Sequence, residues 1–289
     1  MTTRLAVFTG NTARLYGIAY RMLGSRAEAD DILQIAYLRW HALSIEQIDQ
    51  LQSPQAWLVT VVSRLCIDRL RSLKVEREAY IGPWLAEPLI ELELRTPELL
   101  AEFSDEVSLA FMHLLERLSV EERAAYLLHQ IFEVEYVELA NLLGKTQASC
   151  RQLLHRAKQR LAQAQTRFSV SREQHTRLLQ EFSEAASSGN YLALKALFNE
   201  QASLTGDSGG KVVSVNRVLH GAARIARLYH VVARRFGARM HFEMARINGE
   251  VGLLRYLDGQ LDAVICIATD GEKILHLYTV RNPDKLQTS

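Results

Sequence analysis

The stretch from Val134 to Leu161 reads VEYVELANLLGKTQASCRQLLHRAKQRL, two helical patterns on either side of Leu143, Gly144 and Lys145. Its punctuation decides how the middle of the chain folds. Two helices that cross closely after a short turn need a small residue at the crossing and a residue that tolerates positive φ four positions on. Ala140 and Gly144 stand at those places. Six residues beyond the glycine the second helix must bury a compact apolar side chain, and Cys150 is there. Thr146 can cap that helix. Its exposed positions are then Gln147, Ser149, Arg151, Gln152, His155 and Arg156, side chains that reach base edges and phosphates when such a helix lies in a major groove. The spacing predicts a helix-turn-helix, against the plainer reading of a helical hairpin with a solvated basic face.

Charge separates these two readings. The chain of 289 residues carries a net charge of only +1, yet its charges are sorted. Leu139 to Arg172 holds seven basic residues and no acid. Val62 to Arg77 holds Arg64, Arg69, Arg71, Lys74 and Arg77 against Asp68 and Glu76. Between them, Ala86 to Glu106 has seven acids against Arg95 alone. Two basic blocks therefore flank an acidic one, a pattern that suits a polyanionic partner for the helical units.

Upstream of the opening stretch, LSVEE places Ser119 and Glu122 as a capping box, and a helix through His129 is expected. Nearer the N-terminus, Leu15, Ile18, Ala19, Met22 and Leu23 recur at helical spacing before Gly24, and a second amphipathic run covers Arg26 to about Ala42. SIEQIDQLQ reads as a polar loop. A third helix opens with Ser53 as cap and Pro54 in the first turn, with Trp57, Val61, Leu65 and Leu70 suited to a core and Arg64, Arg69, Arg71 and Lys74 elsewhere on its surface. Residues 78 to 106 hold three of the five prolines and read as a linker with a local anchor, YIGPWLAEPL, in which Trp84 pins the segment to a neighbour.

From about Glu173 two helical stretches lead into short alternating segments. ASLTGD, KVVSVN, ARMHFEMARIN, VGLLRYL, LDAVICIATD and KILHLYTV are the candidate strands, with a helix from about Gly221 to Phe236 and turns at Gly249–Glu250, Asp258–Gly259 and Asp270–Gly271. A curved antiparallel sheet packed on helices is expected. Cys66, Cys150 and Cys266 lie far apart, against a disulfide framework or a clustered metal site, so neither metal nor cofactor is expected and a reducing cytoplasm is the natural compartment. No run approaches the roughly 20 apolar residues of a membrane span.

The order RLYGIAYRMLGSRAEADDILQIAYLRW, PQAWLVTVVSRLCIDRLRS, YIGPWLAEPL, then LSVEERAAYLLHQIF with the helix-turn-helix, resembles a bacterial extracytoplasmic-function sigma factor over residues 5 to 165. The tail resembles the SnoaL-like extension, a cystatin-like cone, carried by one subgroup that also has WLPEP-like, DGGGK-like and NPDKL motifs. Here these stand as WLAEP (Trp84, Leu85, Glu87 and Pro88 within it), DSGGK (Asp207, Gly209, Gly210, Lys211) and Asn282, Pro283, Asp284, Lys285 and Leu286. The resemblance implies a multidomain chain: two all-α domains, sigma region 2 over 1–77 and sigma region 4 over 107–170, joined by an acidic linker over 78–106 and followed by an α+β SnoaL-like domain over 174–289. It implies the core RNA polymerase β and β′ subunits and promoter DNA as partners. Asp30, Asp31, Gln34 and Leu38 would grip the β′ clamp helices, although the family's usual acid is replaced by Ile35. The helix from Pro54 would open the minus-ten element, the helix-turn-helix would read the minus-thirty-five element, and the linker would thread the polymerase channel.

Other readings stay open beside this one. SnoaL-like cones also occur as cyclases and isomerases, which makes His230, His241 and His276 acid–base candidates and leaves room for a small-molecule ligand; satisfied structural histidines are the simpler expectation. A helix-turn-helix regulator acting without polymerase is a third reading. GDSGGK, at Gly206 to Lys211, also matches the run around a serine-protease nucleophile, but a phosphate loop needs one more residue and the protease reading lacks its histidine motif. Ser208 is read as a turn residue, with Asp207 and Lys211 projecting charges that dock the cone.

Overall fold

The computed structural model describes residues 4–90, 107–165 and 170–286. They fall into two compact units, one holding 4–78 and 114–164, the other 79–90, 107–113 and 170–286. Most of the acidic stretch, 91–106, lies outside the described residues. Residues 79–90, expected as linker, cluster with the C-terminal unit.

The helical unit opens with α1 (Arg4–Thr9), α2 (Thr12–Leu23) and α3 (Arg26–Ala42). Gly24, at φ 70°, ends α2 by donating its N–H to Tyr20 O at 2.7 Å. Ser25 then caps α3, which buries Ala29, Ile32, Leu33, Ala36 and Trp40, one stripe at helical spacing. SIEQIDQLQ is more ordered than a loop: Ser44 and Gln47 form a capping box that starts a short α4 (Ile45–Asp49). In α5 (Pro54–Glu78) the Ser53 hydroxyl accepts from Ala56 N at 3.2 Å, and Leu58, Val62, Cys66, Ile67, Leu70 and Leu73 are buried.

The unit boundary falls inside α6 (Leu109–Leu115). Ser119 and Glu122 form the expected capping box of α7 (Val120–Ala125), but the helix does not run on regularly to His129. Tyr126–Ile131 is a π-helical turn closed by Phe132 N–H to Leu127 O. Then follow α8 (Tyr136–Leu143) and α9 (Gln147–Gln165). An ion triad, buried at Arg123 and half-buried at Glu116 and Arg77, helps to hold this unit together. Arg123, only 3% exposed, donates to Leu115 O and Met22 O and pairs with Glu116 at 2.7 Å; Arg77 pairs with the same carboxylate and donates to Leu23 O. Burial alone would raise the Glu116 carboxyl, but the Arg123 and Arg77 guanidiniums hold it below its ordinary value.

The second unit places α10 (Arg172–Ser188), α11 (Tyr191–Leu197) and α12 (Ala222–Phe236) against a six-stranded sheet, the α+β architecture expected of the tail. The strands are β1 (Phe198–Asp207), β2 (Leu219–His220), β3 (Met240–Ile247), β4 (Glu250–Leu257), β5 (Gln260–Thr269) and β6 (Ile274–Val280), in the order β2-β1-β6-β5-β4-β3. The sheet is mixed rather than antiparallel throughout as expected, because β1 pairs parallel with β6 while β3 to β6 form an antiparallel meander. Leu178, Phe182, Ile225 and Tyr229 of the helices meet Leu204, Leu253, Ile265, Ile267 and Leu277 of the sheet in one apolar core.

Two strand-level expectations are corrected. KVVSVN alternates like a strand but lies in a loop, with Val213 89% exposed, because the edge of β1 is taken by Leu219 and His220. The β3–β4 turn is made by Asn248 and Gly249, both at positive φ, rather than by Gly249 and Glu250. Two such residues in a row match the right-handed twist of the flanking strands.

Glu116→Gln is expected to cost the helical unit roughly 3 kcal/mol near neutral pH, the scale of losing one partner of a buried ion pair. Because the folded Glu116 carboxyl is depressed, its contribution is present above the unfolded value near about 4.3 and is lost as pH falls through the folded one. Urea titrations of wild type and variant should therefore differ near neutral pH and converge in acid.

Candidate nucleic-acid interface and linker clamp

The turn between α8 and α9 has the geometry that its sequence requires. Gly144 sits at φ 64° and Lys145 N–H returns to Ala140 O at 3.0 Å, while Ala140 and Cys150 are buried at the crossing. Thr146 accepts from Ser149 N at 3.1 Å and its hydroxyl meets that of Ser149, so Ser149 is part of the cap as well as a surface position. Gln147, Arg151, Gln152, His155 and Arg156 are exposed on α9. They are not equally available. Arg151 lies 5.1 Å from the centre of the Tyr136 ring, and His155 contacts Gln159. Arg156 and Arg160 pair with Glu122, the α7 capping residue, whose side chain is 4% exposed. The basic face of the second helix is therefore fixed partly by one buried acid.

The candidates on α5 divide in the same way. Arg69 is held by Glu28 and Glu76, each at 2.7 Å, which push its guanidinium upward. Arg71 pairs with Asp68 at 3.3 Å, and Arg64 is exposed; the side chain of Lys74 lies outside the described residues. On α3, Asp30, Asp31, Gln34 and Leu38 are all exposed along one stripe opposite the buried one. Ile35 is 41% and Leu38 60% exposed.

In the second unit the three tail motifs come together around Asp207, which is fully buried. It does not project outward, as its place in GDSGGK suggested. One carboxylate oxygen accepts from Tyr80 Oη at 2.5 Å and Gly209 N at 3.2 Å; the other accepts from Leu85 N at 2.8 Å and Lys285 Nζ at 2.7 Å. Lys285 also donates to Leu85 O and lies 4.1 Å from the Trp84 ring centre. Asn282 donates to Tyr80 Oη at 2.9 Å. Burial and the facing carboxylate push the Tyr80 phenol far above its ordinary value, which keeps it a donor.

The glycines of the motif are explained by close approach. At Gly209 a Cβ would stand 2.6 Å from Asn282 Nδ2, at Gly210 2.9 Å from Ile81, and both residues have positive φ. Ser208 is buried and accepts from Gly210 N at 3.3 Å, a turn role. Lys211 stays half exposed and pairs with Asp284. Leu85, Glu87, Leu89 and Ile90 are buried around Pro88. A second clamp fixes this end: Asn248 accepts from Leu89 N, donates its backbone N–H to Leu89 O, and donates through Nδ2 to Val107 O, each at 2.8–2.9 Å. Sequence reasoning passed over Asn248 and Tyr80. The Asn-Gly dipeptide could have marked the turn, but nothing in the sequence marks it as a linker contact.

The histidines of the tail do not share one site. His230 donates Nδ1–H to Gly189 O, His241 stacks on Tyr256, and His276 joins the hydroxyls of Ser203 and Thr205 beside His113 and Tyr278.

Comparison with known proteins agrees with this geometry. Residues 7–75 match the family model Sigma-70 region 2, and residues 108–161 match Sigma-70, region 4. The chain is 32% identical to the ECF RNA polymerase sigma factor SigJ of Mycobacterium tuberculosis over 286 residues, covering 95% of this chain and 90% of that protein. It is 28% identical to the probable ECF RNA polymerase sigma factor SigI of the same organism, covering 97% and 94%. The crystal structure of M. tuberculosis SigJ superposes with a TM-score of 0.80 at 30% identity, covering 99% of both chains. With both sigma regions in place and the whole length shared with such relatives, the chain belongs to the extracytoplasmic-function family of RNA polymerase sigma factors and acts in transcription initiation.

Proposed function

We propose that this sigma factor directs core RNA polymerase to promoters through three helical surfaces and restrains itself with the clamp on its own linker. The α3 stripe of Asp30, Asp31, Gln34 and Leu38 is the core-polymerase contact, because it pairs exposed acids with an exposed apolar side chain beside a rigid buried face. Arg64 and Arg71 of α5 serve the minus-ten element. Gln147, Arg151, Gln152 and His155 of α9 serve the minus-thirty-five element, with Arg156 divided between DNA and Glu122. The protein works without catalysis.

The observation that carries the self-restraint is the buried Asp207 carboxylate holding Tyr80, Leu85 and Lys285. A linker fixed in this way cannot thread a polymerase channel at the same time. Initiation thus requires the 80–90 segment to leave the sheet, and the clamp sets the energy of that step.

Lys285→Ala leaves the Asp207 carboxylate buried without its cation, at a cost of about 3 kcal/mol to the clamp. Run-off transcription at saturating core polymerase is expected to rise with this variant and with Asn248→Ala; activity equal to or below wild type in both would overturn the self-restraint. Arg151→Ala is expected to weaken binding to duplexes bearing the cognate minus-thirty-five element by roughly 1–3 kcal/mol and to relax selectivity there. Equal affinity in a fluorescence-anisotropy titration would remove α9 from the groove.

A further inference from the structure

Among the described residues of the C-terminal unit, many of the charged side chains are paired with an opposite charge. Arg177 faces Glu181, Arg239 faces Asp258, Arg255 and Arg281 share Asp262, Lys211 faces Asp284 and Lys285 faces Asp207. The helix α12 departs from this pattern. Its 15 residues hold Arg224, Arg227, Arg234 and Arg235 and no acid. Ala222, Ile225, Ala226, Tyr229 and Ala233 are buried in the core, and the arginines occupy the opposite, solvent-exposed face. Among the described residues none of Arg224, Arg227 and Arg234 has a carboxylate partner.

The spacing of these residues is as telling as their charge. Arg224, Arg227, Val231 and Arg234 follow one another at three or four residues, a single stripe about 15 Å long at 1.5 Å per residue. Beside it, Tyr191 and His230 close a cleft of about 660 Å³ lined by Arg227, Val231, Arg234 and Arg235. His230 is fixed there by its hydrogen bond to Gly189 O and by edge contact with Tyr191. The core does not need this unneutralised cationic row, which costs self-repulsion in the free protein. It acquires a purpose when a polyanion lies along it.

We propose that the exposed face of α12 is a phosphate-binding surface that contacts the backbone of duplex promoter DNA, a third DNA contact supplied by the C-terminal domain. The inference rests on the reading of the chain as a promoter-binding factor and extends it to a domain outside both sigma regions. The stripe of about 15 Å is long enough for its three arginines to meet successive phosphates of one strand, and arginine forks suit phosphate oxygens. The contact is blind to sequence: it adds affinity and register, while α9 supplies selectivity.

The test uses the full-length chain and a fluorescent duplex carrying the promoter, titrated from low to physiological salt, beside a scrambled duplex. The triple variant Arg224→Gln, Arg227→Gln, Arg234→Gln is expected to lower the slope of log affinity against log salt by about three, one for each arginine on a phosphate, and to weaken both duplexes on the order of tenfold or more at physiological salt. The triple lysine variant at the same positions is expected to retain most of the slope. Unchanged slope and affinity in the glutamine variant would overturn the proposal; if Arg151→Ala still weakens the promoter duplex, the promoter reading survives that failure, and if it does not, both fall. A glutamine variant that keeps its DNA affinity but loses core polymerase in co-purification would also overturn it, because α12 would then be a protein-docking face.

Discussion

One carboxylate organises the C-terminal unit. Asp207 sits at the end of β1 with no exposed surface, where an ion without partners is strongly disfavoured. Its two oxygens are satisfied by a phenol, two backbone N–H groups and an ammonium drawn from residues 80–85, 209 and 285. Three segments distant in sequence are therefore folded together or not at all. The glycines beneath the linker and the lysine over Trp84 follow from that requirement, since any larger residue at 209 or 210 would push the linker off the carboxylate.

The helical unit uses the same device with opposite consequences for its surface. Glu116 gathers Arg77 and Arg123, and Glu122 caps α7 while anchoring Arg156 and Arg160 of α9. Part of the positive charge that looks available for DNA is thus spent inside the fold. Arg69 on α5 is spent in the same way, on Glu28 and Glu76. The cations left to reach a nucleic acid are those without a buried acid opposite, and charge counting along the chain cannot identify them.

The two ends of the linker anchor are fixed by different chemistry. The Asp207 end is ionic, and the Asn248 end is a set of neutral amide hydrogen bonds beside a short pairing of Ile90 with Ile247. Both ends are buried, so added salt screens the ionic end little; they are loosened separately by removing the Lys285 ammonium or the Asn248 amide.

The helix-turn-helix was legible from Ala140, Gly144 and Cys150 because its constraints are local: a crossing, a left-handed turn and a buried small residue within 11 positions. The caps at Ser53 and Ser119 and the stripe on α3 were legible for the same reason, since hydrogen bonds and helical spacing act over three or four residues. KVVSVN misled because alternation shows which residues could pair, not whether an edge is free, and β1 had already given its edge to Leu219 and His220. Whether Asp207 faces solvent or a buried lysine 78 positions away depends on which segments the fold brings into contact. The sequence by itself determined most of the elements, several of their caps and the sorting of charge. Only the tertiary structure decided which charges are neutralised by one another and which, on α9 and α12, are left facing outward, because that pairing depends on distances between segments that no local rule specifies.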